Sequence, residues 1–138
     1  MKITRLGETI DEKYYKFLDS EFEKHSRENG IVCNYRPFTF IAEDDDKLIG
    51  IIMGSSYYDE VAIDNVIVSK EYRHQNIGSQ LVNTVIEAFR GKGFSNVSLT
   101  THEFQALDFY KKLGFELEFT RENKGNYKLT KYFLNKNY

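Results

Sequence analysis

Val66-Ile67-Val68-Ser69-Lys70-Glu71-Tyr72-Arg73-His74-Gln75-Asn76-Ile77-Gly78-Ser79-Gln80-Leu81 carries the chain from an apolar strand, through a polar loop, into an amphipathic helix. The helix is predicted over Ile77 to Arg90, because Ile77, Leu81, Val82, Val85, Ile86 and Phe89 share one face and Gly91 and Gly93 mark its end. Its first turn leaves backbone N–H groups unpaired and carries the positive end of the helix dipole, so donors from Gln75 to Ser79 could hold a diphosphate. Gly78 keeps a side chain out of the way, and Arg73 could add a guanidinium. On spacing alone the same residues describe an ordinary strand-to-helix turn. Neither G-x-x-x-x-G-K-[ST] nor G-x-G-x-x-G is present to favour a nucleotide triphosphate or dinucleotide loop.

Upstream, Phe38 to Glu43, Lys47 to Tyr57 and Glu60 to Val68 read as an antiparallel meander, the first two strands joined by the acidic turn Asp44-Asp45-Asp46. Met1 to Leu6 reads as a short first strand. Tyr14, Phe17, Leu18 and Phe22 recur at helical spacing in a helix over Glu12 to Glu28, closed by Asn29-Gly30. The irregular stretch to Arg36-Pro37 could border a substrate pocket. Downstream come a strand from Ser95 to Thr101, a short helix from Gln105 to Leu113, and strands over Glu116 to Arg121 and Tyr127 to Leu134. The pattern implies a mixed α/β sheet with helices on its faces.

The 138 residues fit one domain, 1–138, and 41% hydrophobic with 15% aromatic content argues for a packed core rather than disorder. A net charge of −2 with no long Lys/Arg block gives nucleic acid no claim. The longest apolar run, Leu48 to Met53, cannot span a bilayer, and the N-terminus lacks a secretory pattern, so a cytoplasmic protein without membrane contact is expected. The single cysteine, Cys33, reads as a small buried hydrophobe, and no metal site is expected.

Tyr72 to Leu81 resembles the [QR]-x-x-G-x-[GA] motif of the GNAT superfamily of acetyl-coenzyme A-dependent N-acetyltransferases, matching at Arg73 and Gly78. Asn76 replaces the usual first glycine, a mild change because asparagine tolerates positive φ. Ala106-Leu107-Asp108-Phe109-Tyr110-Lys111-Lys112-Leu113-Gly114-Phe115 resembles the second hallmark, A-x-x-F-Y-x-K-L-G-F; without the resemblance it is a short core helix. The likeness covers nearly the whole chain and implies a central, mostly antiparallel sheet flanked by helices, though a second helix before Phe38 is not evident. Tyr35-Arg36-Pro37-Phe38 and Phe104-Gln105-Ala106 look like those of small bacterial acetyltransferases.

The resemblance implies acetyl-coenzyme A as donor and direct attack by an amine in a ternary complex. An alkylammonium, with a pKa of about 10, must first lose a proton, and the leaving thiolate benefits from an acid. Tyr110 matches the family's tyrosine acid; alternatively its hydroxyl satisfies a buried polar group. Asp64 interrupts the apolar run Val61 to Val68, and a carboxylate in apolar surroundings has a raised pKa suited to a base. A pairing of Asp64 with a lysine, arginine or backbone amide is the other reading, and His102 and Glu103 are further candidate bases. Glu103 stands where the superfamily often has a cofactor-contacting asparagine. By matching, the backbone of Val66, Ile67 and Val68 binds the pantetheine arm, Arg73, His74, Gln75, Asn76, Ile77, Gly78 and Ser79 cradle the diphosphate, and Phe109 packs on the cofactor or the core.

Acidic residues at Glu21, Glu23 and Glu28, at Glu43 to Asp46, and at Asp59, Glu60 and Asp64 could suit a cationic acceptor such as a polyamine or lysine side chain, or merely solvate the surface. The leading expectation is acetylation of a small-molecule amine. Protein lysine or N-terminal acetylation and a non-catalytic acyl-coenzyme A sensor are the alternatives, and a homodimer is expected.

Overall fold

The computed structural model describes residues 1–138, whose contacts fall into two compact units, Met1–Asn34 and Tyr35–Tyr138. The smaller unit is built on helix α1, Glu12–Glu28, at the predicted bounds. The Asp11 carboxylate caps it by accepting from the N–H of Lys13 at 2.9 Å, and Gly30 at φ +72° turns the chain away. Its apolar stripe is exposed, Phe17 by 68% and Phe22 by 57%, so the periodicity marks a helix without marking what buries it. Two expectations fail in this unit. Met1 to Leu6 forms no strand, since a short apolar run becomes one only where an edge pairs with it. Cys33 is exposed rather than buried, its sulfur 3.3 Å from Oγ of Ser26, because so short a unit encloses little.

The larger unit carries a six-stranded sheet in the order β1-β2-β3-β4-β6-β5. Its strands are β1 (Arg36–Asp44), β2 (Lys47–Tyr57), β3 (Glu60–Val68), β4 (Asn96–His102), β5 (Glu116–Arg121) and β6 (Lys131–Asn137). Only the β3–β4 pair is parallel, so the sheet is mostly antiparallel, and the β1-β2-β3 meander is as expected. Asp45 and Asp46, both at positive φ, make the first turn.

Helix α2 (Ile77–Phe89) lays Leu81, Val82, Val85 and Ile86 onto Ile52, Val61, Ile63, Val97 and Leu99. Each fully buried side chain of this kind contributes about 1.5–3 kcal/mol. Helix α3 (Leu107–Lys112) adds Tyr110 to the same core. It is shorter than predicted because Gln105 closes the end of β4, its Oε1 accepting from the N–H of His102 at 2.9 Å. The last strand also starts later than predicted: Tyr127–Leu129 form a 3₁₀ turn capped by Asn126, whose side chain accepts from the N–H of Lys128 at 3.2 Å. Strand residues alternate between faces, so Ser98, Thr100, His102, Lys131 and Phe133 lie on the face opposite this core.

Candidate active site

Two breaks in the ladder shape the site. Between β2 and β3 the register shifts, Met53 pairing with Asn65 and Gly54 with Ile63, which leaves Asp64 as the extra residue of a β-bulge. Gly54 permits it, since a Cβ there would lie 2.0 Å from the carbonyl oxygen of Ala62. Beside the bulge β3 and β4 part company. Their parallel pairing covers only Glu60–Ile63 with Asn96–Leu99, while β3 runs on to Val68 and β4 to His102. Backbone groups of residues 64–68 on the β4 side therefore lack a ladder partner, the state of a strand that binds an extended ligand. Val66 and Val68 pack their side chains on the core, whereas Ile67 points away and is exposed, unlike the buried strand that its apolar neighbours suggest.

The loop after β3 leads into a row of free amides. None of the N–H groups of residues 74–79 donates to an acceptor within the chain; the first helical bond of α2 runs from Gln80 N–H to the oxygen of Asn76. Asn76 adopts φ +63°, the left-handed conformation expected of a residue standing in for glycine, and His74 does the same. Alternating left-handed residues turn successive N–H groups toward one concavity, an anion nest, at the positive end of α2. Arg73 is fixed beside it by donating from Nε to the oxygen of Val68 at 3.1 Å, which leaves its Nη groups available. Gln75 donates from Nε2 to the oxygen of Glu71 at 3.5 Å. Gly78 also faces the other helix: a Cβ there would point at Phe109, 3.3 Å from its Cζ, so the glycine serves the contact between α2 and α3.

Phe109 and Tyr110 meet edge to face at 5.0 Å between ring centroids. Burial pushes the Tyr110 phenol up to about 12, so it stays protonated at neutral pH. Its hydroxyl bonds to nothing in the chain, and since no fully enclosed polar atom is left unpaired it must open to the surface. The alternative of a hydroxyl satisfying a buried polar group is not what is seen.

Among the candidate bases, Asp64 is exposed at its bulge rather than set in apolar surroundings, and it forms no ion pair. The bulge is the reason, because it turns the carboxylate off the packed face. Asp64 lines a cavity of about 390 Å³ with Glu60, Thr100, Glu118 and Phe133, which abuts the β3–β4 gap. His102 lies elsewhere, its Nδ1 3.2 Å from Oε1 of Gln105 and its ring stacked on Phe104. Glu103 is engaged by the hydroxyl of Tyr132, whose pKa is raised by that hydrogen bond. The structure thus brings Asp64 to the gap and ties His102 and Glu103 to other partners. The bulge went unread in the sequence, although an isolated glycine within a strand, Gly54, is its usual mark.

The sequence profile of the acetyltransferase (GNAT) family matches residues 5–115. The chain belongs to that family. GNAT relatives include the Xenopus tropicalis protein named "Probable N-acetyltransferase camello", 33% identical over 82 residues that cover 56% of this chain and 37% of that protein. The chain thus matches little more than a third of that relative's length. An acetyltransferase from Bacillus cereus superposes with a TM-score of 0.79 over 99% of this chain and 98% of the other at 22% identity. An aminoglycoside 6'-N-acetyltransferase complexed with coenzyme A does so with a TM-score of 0.61 over 73% and 72% at 20% identity. At such identities these structures speak for the GNAT fold alone.

Proposed function

We propose that this chain is an N-acetyltransferase that moves an acetyl group from acetyl-coenzyme A to the primary amine of a small molecule. The observation that carries the reading is the continuous path from the free amides of residues 74–79, along the unpaired edge of β3, to the gap beside Asp64. Diphosphate oxygens suit the amides and Arg73, and an extended amide-bearing arm suits Val66, Ile67 and Val68. Bound there, the donor supplies an activated acyl thioester.

The chain's own groups then handle the protons. Asp64 accepts a proton from the incoming ammonium, directly or through water, and its exposure lets a solvated amine reach it. Main-chain N–H groups of β3 are available to polarise the thioester oxygen. Tyr110, protonated and with a free hydroxyl, donates to the departing sulfur. The cavity beside Asp64, about 390 Å³ and open to solvent, has room for a small acceptor of the kind named for the aminoglycoside enzyme.

Thiol release from acetyl-coenzyme A, measured against amines, amino acids and peptides, tests the proposal. Turnover with small amines is expected. Turnover with peptides alone would make it a protein acetyltransferase, and coenzyme A uptake without any turnover would make it a sensor.

A further inference from the structure

A second cavity, about 440 Å³, lies on the same face of the sheet and is lined by His102, Arg121, Glu122, Lys124 and Lys131 among others. It holds three cations against one carboxylate, and none of those cations is in an ion pair. Arg121 and Lys131 are direct cross-strand partners on β5 and β6, an arrangement in which like charges destabilise a sheet. The guanidinium of Arg121 and the ammonium of Lys131 lie 5.3 and 5.2 Å from the centroid of the Phe133 ring. Phe133 also lines the cavity at Asp64, so one ring separates a compartment of three carboxylates, Glu60, Asp64 and Glu118, from a compartment of cations. Lys131 is two residues along β6 from Phe133, about 7 Å at the usual rise of a strand. Three cations with one carboxylate leave a net positive charge, which an anion would stabilise, and the cavity gives it room.

Building on the acetyltransferase reading, we propose that the acceptor is an aminocarboxylate, its amine beside Asp64 and its carboxylate between Arg121 and Lys131. The acidic compartment then selects the ammonium end. The cationic compartment holds the other end and rejects diamines by charge.

Calorimetric titration of the protein saturated with coenzyme A tests this, using 4-aminobutanoate, 6-aminohexanoate and 8-aminooctanoate against butylamine, hexylamine and octylamine. At least one amino acid is expected to bind about tenfold more tightly than the amine of equal length, the size of one charge-assisted contact. The double variant Arg121→Gln/Lys131→Gln should abolish that preference while coenzyme A uptake stays the same. Removing a like-charge pair should leave the variant at least as stable as the parent to heat. Equal or weaker binding of the amino acids at every length, or a preference that survives in the variant, overturns the proposal. Failure of the parent protein to take up coenzyme A is a separate result that removes the transferase reading itself.

Discussion

A Cβ on Gly78 would stand 3.3 Å from Cζ of Phe109, so the first turn of α2 and the ring of α3 meet where the helix has no side chain. Gly78→Ala gains about 1 kcal/mol of helix propensity and must push the half-buried ring aside. Melting should therefore move by no more than about 4 °C, while displacement of Phe109 raises the KM for acetyl-coenzyme A by roughly threefold to tenfold. An unchanged KM would separate this contact from donor binding.

Tyr110→Phe should lower kcat by about a hundredfold with little change in coenzyme A affinity, since it removes a proton donor and keeps the ring. The sign of the pH dependence follows from burial. With the phenol pushed up to about 12, acid catalysis by Tyr110, as proposed, should survive past pH 10 and fail only nearer pH 12. An alkaline limb of kcat at the ordinary phenol value would contradict the assignment. The same shift makes the neutral phenol a stabilising group below pH 10, and stability should fall as pH rises from 10 toward 12, less steeply in the phenylalanine variant.

Asp64→Asn should cut kcat/KM for the amine by at least about tenfold at pH 7, with coenzyme A binding intact. The deficit should shrink toward alkaline pH, where the amine loses its own proton near pH 10. A deficit independent of pH would point to a structural role for the bulge.

How much of this was legible depends on the scale of the signal. Helix α2 is plain in the sequence, expected over Ile77 to Arg90 and found over Ile77–Phe89, because six apolar residues on one face admit a single period. The meander and its acidic turn were equally clear. Local capping went unread: Gln105 and Asn126 delay α3 and β6 by side-chain hydrogen bonds that no periodicity reports. The motifs located Tyr110, Arg73 and Gly78, whereas the surroundings of Asp64 depended on a register shift between two strands. The cationic cavity depended on register too, since Arg121 and Lys131 are ten positions apart in sequence and face each other only once β5 and β6 pair.

Asn76→Gly should leave stability and donor affinity equal or better, as glycine adopts φ +63° without strain. Asn76→Val should cost about 1–2 kcal/mol and weaken donor binding by distorting the nest. Equal KM values for the two variants would show that the local conformation does not matter for the donor.

Gly54→Ala should be the most damaging single change in the sheet, because a methyl group 2.0 Å from the oxygen of Ala62 meets backbone rather than a movable side chain. A loss of about 3 kcal/mol or more in denaturant unfolding is expected. Wild-type stability would refute the geometry of the bulge.

The parting of β3 from β4 beyond Ile63 and Leu99 leaves an unfinished sheet. On the proposed reading, a donor lying along residues 64–68 would act as a surrogate strand, and its thermodynamic weight would be felt by the architecture as a whole. At a hundred times its dissociation constant such a ligand adds about 2.7 kcal/mol, so the melting temperature should climb with coenzyme A concentration. Amide exchange should slow along both lips of the cleft, making the substrate a reporter of how the two halves of the sheet hold together.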